Sequence, residues 1–280
     1  MILKVKENLI YDVGFHNGDD TAYYLHRGFD VLAIEANPLL AAEGQRRFER
    51  EIASRRLALM NVGIAESEGM FSFWVNEESD AWSSFDQALG CRHGSRCREV
   101  KVWGVQFASI LSEYGVPHYL KVDIEGSDAL CIRGLNPDAL PKYISCELTH
   151  DEHVLDGLHA AGYRRFKILN QTTYTASTPV FKRDLGGRIL RKAYRSFSPV
   201  RSAVHRLPRS LRPKKIEFDD FALRFPYKFS DGSSGPFGEE TYGPWHSFEE
   251  ITRQIARIRG KYAQANIPQE RCWYDLHGTW

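Results

Sequence analysis

Through the first 170 residues, short apolar runs alternate with segments of helical periodicity, the pattern of βαβ units built around a parallel sheet. Leu9-Ile10-Tyr11-Asp12-Val13 reads as a buried strand ending at Gly14, residues 21–27 as a helix stopped by Gly28, and Val31-Leu32-Ala33-Ile34-Glu35 as the second strand. Pro38 opens a helix through Arg55, with Leu39, Leu40, Phe48 and Ile52 on its apolar face. Residues 58–64 form the third strand. Residues 69–75 and 100–105 form a strand pair flanking a polar loop, a departure from simple alternation. Beyond it the pattern predicts a helix over 107–114, parallel strands over 119–123 and 143–147, a helix over 152–161 ended by Gly162, and a strand over 165–169.

After Asn170 the character changes. Between Lys182 and Lys215 a run of lysines and arginines is opposed only by Asp184, with apolar residues interleaved, as in an insertion or arm outside the core. Residues 231–244, rich in glycine, precede an amphipathic helix over 247–259 that Ser247 and Glu250 start as a capping box. Cys272-Trp273-Tyr274-Asp275-Leu276-His277 suits a last strand returning to the sheet. The chain thus divides into a core over 1–175, a basic arm over 176–230, and a substrate-side loop, helix and closing strand over 231–280.

An open parallel sheet takes its ligand at the carboxyl ends of its strands, where strand order reverses. In the loop after the first strand, Gly14 and Gly18 allow a sharp turn and close approach to a ligand. A dinucleotide site asks for G-x-G-x-x-G, because a pyrophosphate rests on the helix N-terminus. This loop lacks that pattern and carries Asp12, Asp19 and Asp20, which repel a diphosphate but suit a cofactor with a cationic amino group and a sulfonium. Glu35, followed by Ala36, ends the second strand, where a carboxylate accepts both ribose hydroxyls. Asn61-Val62-Gly63-Ile64 after the third strand is either a wall beside the base or a plain turn.

Tyr11-Asp12-Val13-Gly14, Asn17-Gly18-Asp19-Asp20-Thr21, Ala33-Ile34-Glu35-Ala36-Asn37-Pro38 and Tyr119-Leu120-Lys121-Val122-Asp123-Ile124-Glu125-Gly126 together resemble the FkbM-type methyltransferase family over roughly residues 8–170. The resemblance implies an α/β, class I Rossmann-like fold: a mostly parallel seven-stranded sheet with an antiparallel last strand and helices on both faces. It also implies S-adenosyl-L-methionine as cofactor and O-methylation of a hydroxyl on a sugar, glycan or glycosylated natural product. Carried over by position, Asp12, Gly14, Asn17, Gly18, Thr21 and Glu35 hold the cofactor. Phe15-His16 replaces the Ala-Asn expected after the first glycine and completes the turn.

Methyl transfer from a sulfonium is an in-line displacement, so the enzyme aligns the acceptor oxygen and helps remove its proton. Lys121, Asp123 and Glu125 share one side of an extended segment, so that a lysine and two carboxylates converge. Glu147 ends the fifth strand, and His150 follows as a base of suitable ordinary pKa. Asp123 and His150 lead as bases; Asp123, Glu125, Glu147 and His150 would alternatively hold magnesium, which no spacing demands. Residues 232–240 are long enough for a lid, Tyr242, Trp245 and His246 offer groups that stack on a sugar, and the resemblance brings His277 to the substrate side.

Composition narrows the class. A chain of 280 residues, 42% hydrophobic, with formal charge +1, has no overall field to attract polyanions. No stretch reads as a secretory signal or a membrane span, which takes about 20 apolar residues, so the expected compartment is the cytoplasm. The basic stretch is read as a solvated arm or as a contact for an anionic membrane or lipid-linked glycan; without an RNA-binding signature, nucleic acid is disfavoured. Five scattered cysteines predict free thiols; Cys91, His93 and Cys97 share a loop but lack a fourth zinc ligand. A nicotinamide-dependent oxidoreductase and a catalytically silent scaffold for glycan assembly are the alternatives.

Overall fold

A computed structural model describes residues 3–148, 153–171, 175–176, 227, 229, 233–241, 243–264 and 274–280. Its strands are β1 (Val5–Val13), β2 (Asp30–Ile34), β3 (Leu57–Met60), β4 (Gly63–Ile64), β5 (Gly69–Asn76), β6 (Cys97–Val105), β7 (Val116–Val122), β8 (Tyr143–Glu147), β9 (Arg165–Asn170), β10 (Thr175–Ala176) and β11 (Tyr274–Thr279). Its helices are α1 (Asp19–His26), α2 (Pro38–Arg47), α3 (Glu49–Ala53), α4 (Gln87–Gly90), α5 (Phe107–Tyr114), α6 (Asp128–Arg133), α7 (Val154–Ala161) and α8 (Phe248–Gln264). The basic stretch 182–215, His150, Tyr242, Cys272 and Trp273 lie outside the described residues. Among those described, no helix is long and apolar enough to cross a membrane.

The main sheet runs β10-β9-β11-β8-β7-β1-β2-β3. β1, β2, β3, β7 and β8 are mutually parallel where they pair, and β11 lies antiparallel between β8 and β9. Seven strands match the expected sheet, and the two-residue β10 adds an eighth at the edge beside β9. The central strands read as nearly unbroken apolar runs because both faces are covered. On one face Tyr11, Val13, Leu32, Ile34, Leu120 and Val122 pack with residues of α5, α6, α7 and α8. On the other, Ile10, Ala33, Tyr119 and Tyr143 pack with Tyr23 and Tyr24 of α1, with Phe48, and with Phe237.

One polar row interrupts that second face. Asp12 of β1 stands beside Lys121 of β7, Lys121 beside Ser145 of β8, Ser145 beside His277 of β11, and His277 beside Lys167 of β9. All five are buried. Residues 233–241 cover part of this face: Phe237 stacks on Tyr119 with ring centroids 4.1 Å apart, and Lys167 Nζ donates to the Thr241 carbonyl and hydroxyl.

Some local expectations are corrected. The helix expected over 38–55 breaks at Phe48 (φ −112°, ψ 27°), whose buried ring packs edge-on against Phe15 at 5.9 Å, while Leu39 is exposed. The strand expected over 58–64 divides: β3 ends the main sheet, and β4 pairs with β6 in a second, three-stranded sheet ordered β4-β6-β5. Cys91 and Cys97 are not free thiols but form a disulfide, because the intervening turn, with His93 at φ 59° and Gly94 at φ 73°, brings their Cα atoms to 5.5 Å. Cys131 and Cys146 are free and buried. The Ser247–Glu250 capping box forms as expected: Ser247 N–H donates to Glu250 Oε2 at 3.0 Å, and Glu250 N–H to Ser247 Oγ at 3.3 Å.

Because Phe237 joins residues 233–241 to the sheet, Phe237→Ala is expected to destabilise the fold by about 3–5 kcal/mol in urea unfolding. A loss below about 1 kcal/mol would mean that this segment is not part of the packed core.

Candidate functional site

The chain runs β1, β2, β3 towards one edge and returns with β7 on the other side of β1, so the strand order reverses between β1 and β7. The turn after β1 occupies that point. Gly14 adopts φ 89°, and a Cβ there would overlap the Asp123 carbonyl at the end of β7, so glycine is required twice over. The Gly14 and Phe15 N–H groups donate to the Ile34 carbonyl, and Gly18 (φ 81°) opens α1. Arg47 of α2 clasps the turn from outside, donating to the Asn17 carbonyl at 2.6 Å and pairing with Asp19 at 2.8 Å. The Phe15 ring turns inward against Phe48, so it serves packing.

Beneath the turn lies the ammonium of Lys121. It donates to the Gly14 carbonyl at 2.8 Å and stands 3.2 Å from Asp12 Oδ1, 3.6 Å from Asp20 Oδ2 and 3.8 Å from Asp123 Oδ2. Thr21 Oγ1 donates to the other Asp12 oxygen at 2.7 Å. Burial pulls the lysine pKa down, but Asp12, Asp123 and Asp20 outweigh it, so the group is held well above its ordinary value and stays charged. One cation does not neutralise three carboxylates. Burial, with like charge nearby, raises the pKa values of Asp12 and Asp123, although Lys121 opposes both shifts. The floor of the turn thus sets three acids around one ammonium, an excess of acidic groups, and Asp123, with 29% of its side chain exposed, is its outermost member.

Glu125 does not join this group, contrary to the alternation expected along 121–125. The extended run ends after β7, Glu125 takes φ 39°, and its carboxylate pairs with Arg92 at 2.9 Å while its carbonyl accepts from Ser84 Oγ. Arg92 also lies over the Trp82 ring, 4.7 Å from its centroid, inside the loop that the disulfide closes. Asp20, expected only as one of the loop acids, takes the inward place. Its carboxylate also accepts from Ser233 Oγ and, at 3.1 Å, from the Ser234 N–H. Residues 233–241 are thus tied to the acid cluster and packed down on the sheet.

Beside the turn, a cleft is walled by Ile34, Ile64, Phe73, Phe85 and Ile124, with Gly14, Val62, Gly63 and Ala36 giving close backbone. Gly63 is bare because the Phe85 ring occupies the place of a Cβ. That ring is fixed by the second sheet: Trp74 and Ser84 exchange backbone hydrogen bonds of 2.8 and 3.1 Å. Polar groups in the cleft are Glu35, Ser83 and Ser127. Glu35 accepts the His16 N–H and the Asn37 N–H, each at 2.7 Å, and burial pushes its carboxyl up to about 7 against those two hydrogen bonds. Asn61 Nδ2 donates to the Glu35 carbonyl at 2.8 Å, so Asn61 braces the strand end. An apolar slot with one carboxylate and two hydroxyls accommodates a flat base carrying a diol; the adjacent acid-rich turn accommodates a cation.

Ser83, Phe73, Phe85 and Ser127 were not legible as site residues, since they arrive from the second sheet and the start of α6. His277, expected to reach the substrate side, is buried between Ser145 and Lys167, and burial pushes its imidazole down to about 3, with Lys167 adding to the shift. Glu147 ends β8 in register with Asp275, which burial holds well above the usual carboxylate range. Trp245 is engaged within the protein: its Nε1 donates to Glu239, and Lys167 Nζ lies 4.2 Å from its ring centroid.

With the cleft opening where strand order reverses, the molecule is a Rossmann-like α/β protein whose cleft lies at the switch point, the usual ligand position in such sheets. A model of the methyltransferase FkbM domain matches residues 12–165, more than half of the 280 residues, and the chain belongs to that family. The methyltransferase FkbM from Methylobacillus flagellatus KT is 16% identical over 57% of this chain and 38% of its own, with a TM-score of 0.39; this chain spans well under half of that protein's length. The [4+2]-cyclase SpnF is 11% identical over 98% of this chain and 75% of its own, with a TM-score of 0.34. No curated protein gives a significant match.

Removing the cation in Lys121→Met leaves three carboxylates facing one another. The variant is expected to lose about 3–5 kcal/mol at pH 7, read by urea unfolding, and to regain part of it towards pH 5 as the acids protonate. Unchanged stability would contradict the arrangement. Carbon-13 NMR of the Glu35 carboxyl is expected to give a midpoint near pH 7; one at its ordinary 4.5 would show that the group is not desolvated. Between 4.5 and 7 the folded carboxyl keeps a proton that the unfolded chain releases. This group's contribution to stability therefore falls as pH rises through that window.

Proposed function

We propose that the protein is an S-adenosylmethionine-dependent methyltransferase acting on a hydroxyl of a sugar, glycan or glycosylated natural product. The observation that carries the cofactor is the acid-rich floor around Lys121 set directly beside the apolar slot and Glu35. A dinucleotide would place its diphosphate over Asp12, Asp20 and Asp123 on a turn without the third glycine, which disfavours a nicotinamide oxidoreductase. The acceptor class follows from family membership, since this family is associated with sugar-type hydroxyls.

The parts fit the cofactor. Gly14 and Gly63 bring bare backbone to the cleft, Ile64 and Phe85 offer apolar surface to the base, and Glu35 retains lone pairs for two ribose hydroxyls beyond the two N–H groups it already accepts. When bound, the group supplies an electrophilic methyl on a sulfonium. The chain's own work is placement and field: Lys121 fixes the Gly14 carbonyl and three acids, of which Asp123 is the most exposed. Arg92 keeps Glu125 turned away, so the second carboxylate of the turn does not compete for the cation.

Calorimetric titration with S-adenosylmethionine, S-adenosylhomocysteine and NAD tests this reading. Binding of the first two and not of NAD is expected, and Glu35→Ala is expected to weaken S-adenosylmethionine binding about tenfold or more, the cost of about one charge-assisted hydrogen bond. Binding of NAD alone would overturn the cofactor. Labelled methyl transfer into fractionated cell extract tests the acceptor: incorporation into a glycan or glycosylated fraction is expected, and incorporation only into protein or nucleic acid would overturn it.

A further inference from the structure

Of the two residues that depart from the expected Ala-Asn in the first turn, Phe15 is accounted for by its packing on Phe48. His16 is not. Its backbone holds φ 50°, fixed by the N–H that donates to Glu35, and its ring leaves the turn to place Nε2 2.9 Å from Asp80 Oδ1. Asp80 is itself well placed: it begins the short turn Asp80–Trp82, its carbonyl accepts from Ser83 Oγ at 2.8 Å, and Ser83 Oγ in turn accepts the Asn76 N–H at 3.1 Å. The same segment continues into Ser83 and Phe85 of the cleft wall. The imidazole therefore links the cofactor turn to the segment that carries Ser83 and Phe85, with 39% of its side chain exposed. The His16 backbone N–H, at 2.7 Å from Glu35 Oε2, keeps the residue at the ribose end of the site.

We propose that His16, oriented by Asp80, is the base that takes the proton of the acceptor hydroxyl, an inference that rests on the methyltransferase reading above. An ionised carboxylate only accepts hydrogen bonds, so the hydrogen shared with Asp80 sits on His16 Nε2, and Nδ1 is the ring nitrogen left to take a proton. In the step, the acceptor O–H bond breaks and its proton passes to Nδ1. The oxygen forms its bond to the methyl carbon as the carbon–sulfur bond breaks, and that electron pair stays on sulfur. The imidazolium left behind is paired with the Asp80 carboxylate, and the exposed ring returns its proton to water. The neighbouring carboxylates are engaged differently: Asp123 lies in the field of Lys121, and Glu125 is paired with Arg92.

The test compares wild type, His16→Asn, His16→Gly and Asp80→Asn by two readouts: S-adenosylmethionine affinity by calorimetry, and the rate of labelled methyl transfer at saturating S-adenosylmethionine into the extract fraction that accepts label. Asparagine and glycine both tolerate the left-handed backbone at this position, so neither substitution disturbs the turn. His16→Asn is expected to bind the cofactor within about threefold of wild type and to transfer at least about 100-fold more slowly. Added imidazole is expected to restore part of the rate to His16→Gly and none to His16→Asn, and Asp80→Asn is expected to lower the rate about tenfold or more without changing cofactor affinity. Transfer by His16→Asn at the wild-type rate, loss of rate only in step with cofactor affinity, or no response of His16→Gly to imidazole would each overturn the assignment. Wild type that binds no S-adenosylmethionine would instead overturn the methyltransferase reading, and the calorimetric arm alone reveals it.

Discussion

The buried ammonium of Lys121 ties together parts of the molecule that come from distant stretches of sequence. Asp12 belongs to β1, Asp20 to α1, Asp123 to the end of β7, and the Gly14 carbonyl to the turn between them. A lysine with 3% exposure is tolerated only because several partners offset its desolvation. The partners are tolerated for the same reason, since three carboxylates so close would otherwise repel one another. The consequence is geometric as well as electrostatic. The first strand, its turn and the fourth parallel strand are locked at the switch point, and residues 233–241 are drawn onto the same cluster through Ser233, Ser234 and Asp20.

From that lock the two halves of the site take their different characters. Towards β2 and β3 the cleft is apolar and narrow, closed by Phe73 and Phe85 from the second sheet and marked by the single carboxylate of Glu35. Towards β7 it meets the acids gathered around Lys121. The disulfide between Cys91 and Cys97 bears on the boundary, since the loop it closes carries Arg92, and Arg92 holds Glu125 out of the acid cluster. Family membership and local chemistry therefore meet at one place: the region where charge changes across the cleft is the region where a cationic methyl donor would present its methyl group.

Much of this was legible in the sequence. Apolar periodicity located the central strands and α5 because burial on both faces leaves a strong local pattern, and Gly14 and Glu35 stood out because both sit at strand ends. What escaped has a physical reason in each case. Asp19 and Asp20 look alike in a loop, but a single residue's step around the helix sends Asp20 inward to Lys121 while Asp19 pairs with Arg47 outside. Alternation along 121–125 assumed an extended chain, and the left-handed Glu125 ends it. Phe85 and Ser83 reach the cleft only because Trp74 and Ser84 pin their loop to β5, a pairing with no local signature. An odd, scattered cysteine count gave no view of the turn that brings Cys91 and Cys97 together.

The central claim, that a charged Lys121 organises the site, is tested most directly by nitrogen-15 NMR of its side-chain nitrogen over a pH titration. The account predicts the shift of an ammonium, held without a titration step through the ordinary lysine value of 10.5 for as long as the protein stays folded, because three carboxylates outweigh burial. A nitrogen that loses its proton below that value in the folded protein would contradict it, since burial would then have prevailed over the ion pairs.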